Sequence, residues 1–213
     1  MHQEKDIKKE IIKTGKKLYK KGFVPGMSGN ISLKDRDVIY ITVTGSCLGH
    51  MEENEIITID INGNLPEYSN SKPSSEYKMH LEIYKARPEI NCIIHAHPPY
   101  STAFSISGIS PDLPLIAEPI VLLGDIKLVN YKLPSSTDLA KEVAEGFKAS
   151  DAVLMQNHGA AVCGKTLKDT YYKLETLEFY SQINMLTINI ENKSILSSEQ
   201  VKELENLRNL IKS

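Results

Sequence analysis

The chain has 213 residues and a formal net charge of −2. That length suits one domain, and the charge leaves no electrostatic footprint for nucleic acid or an anionic membrane. Cys47, Cys92 and Cys163 form no C-x-x-C pair, the N-terminus is polar and no apolar run is long, so the reading is one cytoplasmic domain over 1–213 with no disulfide framework, leader or spanning helix.

Ile7, Ile11, Ile12, Leu18 and Tyr19 recur at helical spacing among lysines, which predicts an amphipathic helix over 5–21 ending at Gly22. GMSGN at 26–30 is a turn. Residues 31–43 alternate around Lys34, Asp35, Arg36 and Asp37, which predicts a hairpin. Residues 55–65 repeat that pattern around Asn62-Gly63. Ser74 or Ser75 is positioned to cap a helix from Glu76 to about Lys85, stopped by Arg87-Pro88. Residues 91–97, NCIIHAH, read as a short apolar strand, and Pro98-Pro99 opens a helix. Residues 115–131 are mixed, broken at Gly124-Asp125. Thr137 is the predicted cap of the next helix. A strand over 152–156 leads into Asn157-His158-Gly159, followed by a strand over 160–163 and a long helix over 167–187. Ser197-Ser198-Glu199 opens a last helix. Helices interleaved with short strands and hairpins predict an α/β (α+β-like) fold on a mainly antiparallel or mixed sheet.

His95 and His97 sit two apart in the apolar strand, so their side chains share one face. Two imidazoles converging on one side suit zinc or a related divalent ion, and a catalytic site usually takes a third protein ligand. The candidates are His2, His50, His80 and His158. His158, at a strand end before a glycine, is the best placed; His2 falls at a fraying terminus, and His80 is one turn after Glu76 on the same helix face. An isolated H-x-H is a weak signal, and its weight comes from its company. Glu76, at a helix start, is either a first-turn acid that favours the helix dipole or a proton carrier beside the ion. Three segments suit an oxyanion: 26–30, Thr44-Gly45-Ser46, and Ser74-Ser75. Each is expected to offer free backbone N–H groups and hydroxyls.

Together GMSGNIS (26–32), TGS (44–46), KPSSEYKMH (72–80), IIHAHPPYST (93–102) and QNHG (156–159) resemble the class II aldolase/adducin family, whose enzymes include L-fuculose-1-phosphate aldolase and L-ribulose-5-phosphate 4-epimerase. The motifs stand in family order over about 26–180. The resemblance implies a three-layer α/β/α sandwich around a mainly antiparallel sheet and a homotetramer with active sites between subunits. It implies Zn²⁺, with Mn²⁺ or Co²⁺ as alternatives, on His95, His97 and His158. It further implies a substrate phosphate held by Gly29, Asn30, Thr44, Gly45, Ser74 and Ser75, and Glu76 as acid/base. The chain departs from the aldolase pattern at 114–119, PLIAEP, where a tyrosine is expected; Glu118 is the nearest polar group.

The expected reaction is reversible cleavage of a ketose 1-phosphate to dihydroxyacetone phosphate and an aldehyde, with Glu118 of an adjacent subunit serving the aldehyde oxygen. The rivals are a sugar-phosphate epimerase, a methylthioribulose-phosphate dehydratase, and an adducin-like binding module that has lost the chemistry. The presence of Glu76 favours the aldolase.

Overall fold

A computed structural model describes residues 2–66 and 71–212. The chain opens with α1 (His2–Lys20), and β1 (Asn30–Asp35) pairs with β2 (Val38–Thr42) as the predicted hairpin, turning at Arg36 in the left-handed region. The repeat expected over 55–65 is not a second hairpin. Only β3 (Ile56–Ile59) is a strand, because the Asp60 side chain accepts from the amides of Asn62 and Asn64 and closes a turn on itself.

α2 (Tyr77–Ala86) is capped by neither serine. Its first residue is preceded by Glu76, and the amide of Tyr77 donates to the Ser74 carbonyl. β4 (Cys92–Ala96), α3 (Pro99–Ser107), α4 (Ala117–Leu123) and β5 (Ile126–Val129) follow. The cap of α5 (Thr137–Phe147) is Ser136, one residue before the expected Thr137. β6 (Ala152–Met155), β7 (Gly159–Gly164), α6 (Leu167–Thr187) and α7 (Ser198–Lys212) complete the order.

The strands form one seven-stranded sheet in the order β3-β2-β1-β4-β7-β6-β5, antiparallel throughout except for β5 beside β6. Side-chain alternation divides the interior into two apolar layers. Ile31, Ile94, Ala96, Leu154 and Val162 pack against α1, α3 and α6. Ile41, Ile93, Val153, Ala161 and Cys163 pack against α2 and α5. This is the α/β/α sandwich expected from the resemblance, and Cys47, Cys92 and Cys163 form no disulfide among the described residues. On the α2 side the middle of the sheet is polar: Asn30, Ser32, Glu76, His80 and His95 are all buried.

Candidate active site

His95 stands on β4 directly opposite Asn30 of β1 and Ala161 of β7. Its Nδ1–H donates to the Ala160 carbonyl at 2.9 Å, which fixes the ring and turns Nε2 toward the pocket. His97 lies one residue past the strand, not within it. Its amide donates to the Phe23 carbonyl at 2.8 Å, so the loop after α1 holds it. His158 follows Asn157, whose φ of 57° turns the chain sharply between β6 and β7. Gly159 is required by contact, not by dihedral: a Cβ there would lie 2.4 Å from the His97 ring and 2.6 Å from the Ala96 carbonyl oxygen.

These placements bring the ligand atoms of His95, His97 and His158 within 4.8 Å of one another. The Nε2 atoms of His95 and His97 are 3.1 Å apart. Ligand nitrogens at about 2.0–2.1 Å from a tetrahedral zinc ion are separated by roughly 3.3–3.4 Å, so the spacing fits a shared divalent ion. Of the other candidates, His50 meets Tyr19 edge to face at 5.2 Å, and His80 is buried behind the site.

Glu76 reaches this cluster from the start of α2. Its Oε2 lies 3.0 Å from His95 Nε2, and its Oε1 lies 3.5 Å from His158 Nε2. Burial raises the affinity of this carboxyl for a proton, but His95, by charge and hydrogen bond, together with His158 and Asn30, outweighs it and holds the group below the usual carboxylate range. Burial lowers His95, and the Glu76 carboxylate outweighs that and raises it. Burial followed by the neighbouring imidazoles pushes His97 down to about 3 and His158 down to about 4. His97 and His158 are thus held as neutral rings, the form that ligates a metal, while Glu76 favours a proton on His95 that a bound ion would displace. Buried Glu76 Oε1 and His158 Nδ1 have no hydrogen-bond partner among the described residues.

The remaining wall of the cavity, about 230 Å³ in volume, is formed by the three predicted turns. Gly29, Asn30, Thr44, Gly45, Ser74 and Ser75 all line it. The turns offer fewer free amides than expected. The amide of Ser28 donates to the Pro25 carbonyl, that of Thr44 to Lys72, that of Ser46 to Val43 and that of Ser74 to Thr42. Among the described residues, the amides of Gly29, Gly45 and Ser75 make no backbone hydrogen bond in these turns, and the three residues line the cavity together with the hydroxyls of Thr44 and Ser74.

Three lining residues, Val43, Pro134 and Ser135, were not anticipated. Pro134 and Ser135 enter from the loop before α5, with Ser135 at a φ of 67°. In sequence, this stretch shows only the helix cap expected of Thr137. Glu178 on α6 was also missed. It accepts from the amides of Tyr100 and Ser101 and so clamps the start of α3, just beyond His97; no local signal links positions this far apart. Glu118 is exposed in the first turn of α4 and is not part of the cavity wall of its own chain.

The profile of the Class II Aldolase and Adducin N-terminal domain matches residues 9–185. An L-fuculose phosphate aldolase of Methanocaldococcus jannaschii is 39% identical over 182 residues, covering 85% of this chain and 97% of the relative. A 3-oxo-tetronate 4-phosphate decarboxylase of Haemophilus influenzae is 31% identical over 204 residues, covering 93% and 96%. A solved L-fuculose 1-phosphate aldolase superposes with a TM-score of 0.86 at 30% identity, covering 96% of both chains.

Proposed function

The chain belongs to the class II aldolase and adducin family, and from that premise we propose that it is an aldolase that reversibly cleaves a ketose 1-phosphate of the L-fuculose-1-phosphate type to dihydroxyacetone phosphate and an aldehyde. The observation that carries the reading is Glu76: a buried, ionised carboxylate with one free oxygen, set between the histidine cluster and the turns.

His95, His97 and His158 would hold the divalent ion, with zinc the first choice and Mn²⁺ or Co²⁺ alternatives. Bound there, the ion would polarise the carbonyl and adjacent hydroxyl oxygens of the substrate and offset the negative charge that develops on them. Glu76 removes and returns the proton at the carbon beside the carbonyl, within reach of its free Oε1. Gly29, Asn30, Thr44, Gly45, Ser74 and Ser75 hold the phosphate and fix the reacting carbon against Glu76, which lowers the entropic barrier. Glu118 has no such place in its own chain, so its proposed role as proton donor to the aldehyde oxygen requires the homotetramer, with Glu118 supplied from an adjacent subunit. No helix among the described residues is long and apolar enough to cross a membrane, which agrees with the proposed cytoplasmic location.

One observation favours a second reading that the sequence did not raise. The cavity wall carries one carboxylate and no tyrosine. A 3-oxo acid 4-phosphate, the substrate class named for the Haemophilus influenzae relative, has its carboxylate on the carbon beside the ketone. Breaking that bond releases CO₂ and leaves an electron pair beside the carbonyl. That carbon then takes up one proton, which the ionised Glu76 would first draw from water, and no leaving aldehyde has to be served.

The test incubates the metal-loaded protein with dihydroxyacetone phosphate and aldehydes, and separately with 3-oxo-tetronate 4-phosphate. Aldol product should form, vanish on chelation and fall about 10²- to 10⁴-fold in Glu76→Gln. CO₂ release without aldol product would replace the aldolase by the decarboxylase; an unchanged rate in Glu76→Gln would remove the role of Glu76 in either reaction.

A further inference from the structure

Behind Glu76 runs a buried chain of polar groups, of which the chemistry above uses only Asn30. Asn30 Nδ2 lies 3.4 Å from Glu76 Oε2, and Asn30 Oδ1 lies 2.5 Å from His80 Nε2. His80 Nδ1 is 2.7 Å from Ser32 Oγ, and Ser32 Oγ is 2.7 Å from the Tyr84 hydroxyl. Two periodicities meet here: Asn30 and Ser32 alternate along β1, while Glu76, His80 and Tyr84 recur every four residues at the start and along one face of α2.

The chemistry of the donors fixes the direction of every bond. A carboxylate oxygen only accepts, so the Asn30 amide nitrogen faces Glu76 and its oxygen faces His80. That oxygen also only accepts, so the His80 proton is on Nε2. His80 is fully buried, and burial followed by His95 pushes it down to about 3, so it is neutral and its Nδ1 is bare. The Ser32 hydroxyl therefore donates to Nδ1. Ser32 has one proton, so Tyr84 donates to Ser32; the longer contact from Tyr84 to the Asn91 carbonyl, 3.2 Å, competes for the same hydrogen. All four donors point toward Glu76.

We propose that His80 is a positioning residue: locked by Ser32 and Tyr84 as the Nε2–H tautomer, it holds the Asn30 amide so that its nitrogen, not its oxygen, meets Glu76. The role rests on the acid/base reading of Glu76. A flipped Asn30 would set its oxygen against the carboxylate, turning a stabilising contact into a repulsive one and displacing the proton carrier. An apolar residue at position 80 would fill the space and leave Asn30 free to turn.

The zinc-loaded protein and its His80→Leu, His80→Gln and Ser32→Ala variants are compared in the aldol assay. In His80→Leu, kcat should fall about 10- to 100-fold, the usual loss when a partner behind a metal-site group is removed, with zinc content unchanged. His80→Gln, whose amide can still donate to Asn30, should recover part of the loss. Nitrogen-15 spectra of histidine-labelled protein read the tautomer apart from activity: His80 should be protonated on Nε2 in the wild type and lose that preference in Ser32→Ala. The spectra keep the test decisive if the position-80 variants do not fold. A proton found on Nδ1 overturns the proposal. So does a kcat in His80→Leu within about twofold of wild type, or a loss of zinc and a raised KM that His80→Gln does not reverse, which would mark packing alone. If Glu76→Gln is inactive while His80→Leu is not, this inference fails and the role of Glu76 stands; if Glu76→Gln is fully active, both fail.

Discussion

The two walls of the cavity are built by different means. On the histidine wall, sheet register sets position: Asn30, His95 and Ala161 stand in one row across β1, β4 and β7, and the carbonyl of Ala160 orients the His95 ring. On the turn wall, single dihedrals set position, with Gly29 at a φ of 77° and Gly45 at 78°. The buried His95 ring is held from two sides, by the Ala160 carbonyl and by Glu76, whereas Thr44, Gly45 and Ser75 are exposed at the mouth. A wall fixed by the sheet suits an ion that tolerates little displacement. A wall of turns suits a phosphate, which any of several amides and hydroxyls can meet.

If this contrast holds, damage to the two walls should differ in kind. The largest effect is expected from His95→Ala, which removes the most buried of the three clustered imidazoles and takes from Glu76 its main neighbour of opposite tendency. Zinc affinity and activity should each fall by more than about 100-fold, beyond the usual range for a mere supporting partner. Metal analysis after dialysis and the aldol assay check this; full zinc occupancy in the variant would mean that His97 and His158 suffice and that the register of β4 does not set the metal wall. Next is Gly159→Ala, whose added carbon would collide with the His97 ring and the Ala96 carbonyl. It touches no substrate group, so the expected result is a loss of zinc affinity of about 10- to 100-fold with little change in KM once the site is saturated with metal. A raised KM at saturating zinc would instead place Gly159 on the substrate side.

Much of the histidine wall was legible in the sequence, because strand alternation and helical spacing are strict. His95 in an apolar strand, His158 before a glycine, and Glu76 with His80 one turn later are all periodic statements. Most of the chain order followed from the same patterns, except α4 and β5 in a segment that reads only as mixed, and α6 was bounded correctly at Leu167 and Thr187. Local competition caused the misses. Asp60 diverted the amides that a return strand would have used, and Ser136 took the cap expected of Thr137. The turn wall was legible as composition, but the number of free amides was not, because Thr44 and Ser74 spend theirs on Lys72 and Thr42, partners that only the fold supplies. Ser135 and Glu178 are long-range arrivals with no local pattern to announce them.

The smallest effect sharpens the comparison most, because it sets two glycines of nearly equal dihedral against each other. A left-handed backbone costs a non-glycine residue roughly 1–2 kcal/mol at either position. At Gly45 nothing lies within 4 Å of an added Cβ, so Gly45→Ala should show that cost alone: a fall in Tm of about 2–8 °C and a modest rise in KM. At Gly29 the added carbon would lie 2.6 Å from Val24 Cγ1 and 2.8 Å from the carbonyl oxygen of His95. Val24 is fully buried and the other atom is the backbone of β4, so overpacking adds roughly 1–3 kcal/mol, and the push on His95 reaches the metal wall. Gly29→Ala should therefore lose zinc affinity as well as stability, while Gly45→Ala keeps its zinc. Thermal melts and zinc titrations of the two variants give the answer side by side. Equal losses in both would mean that the walls are mechanically one; a zinc defect confined to Gly29→Ala would locate the seam between them at the turn that leads into β1.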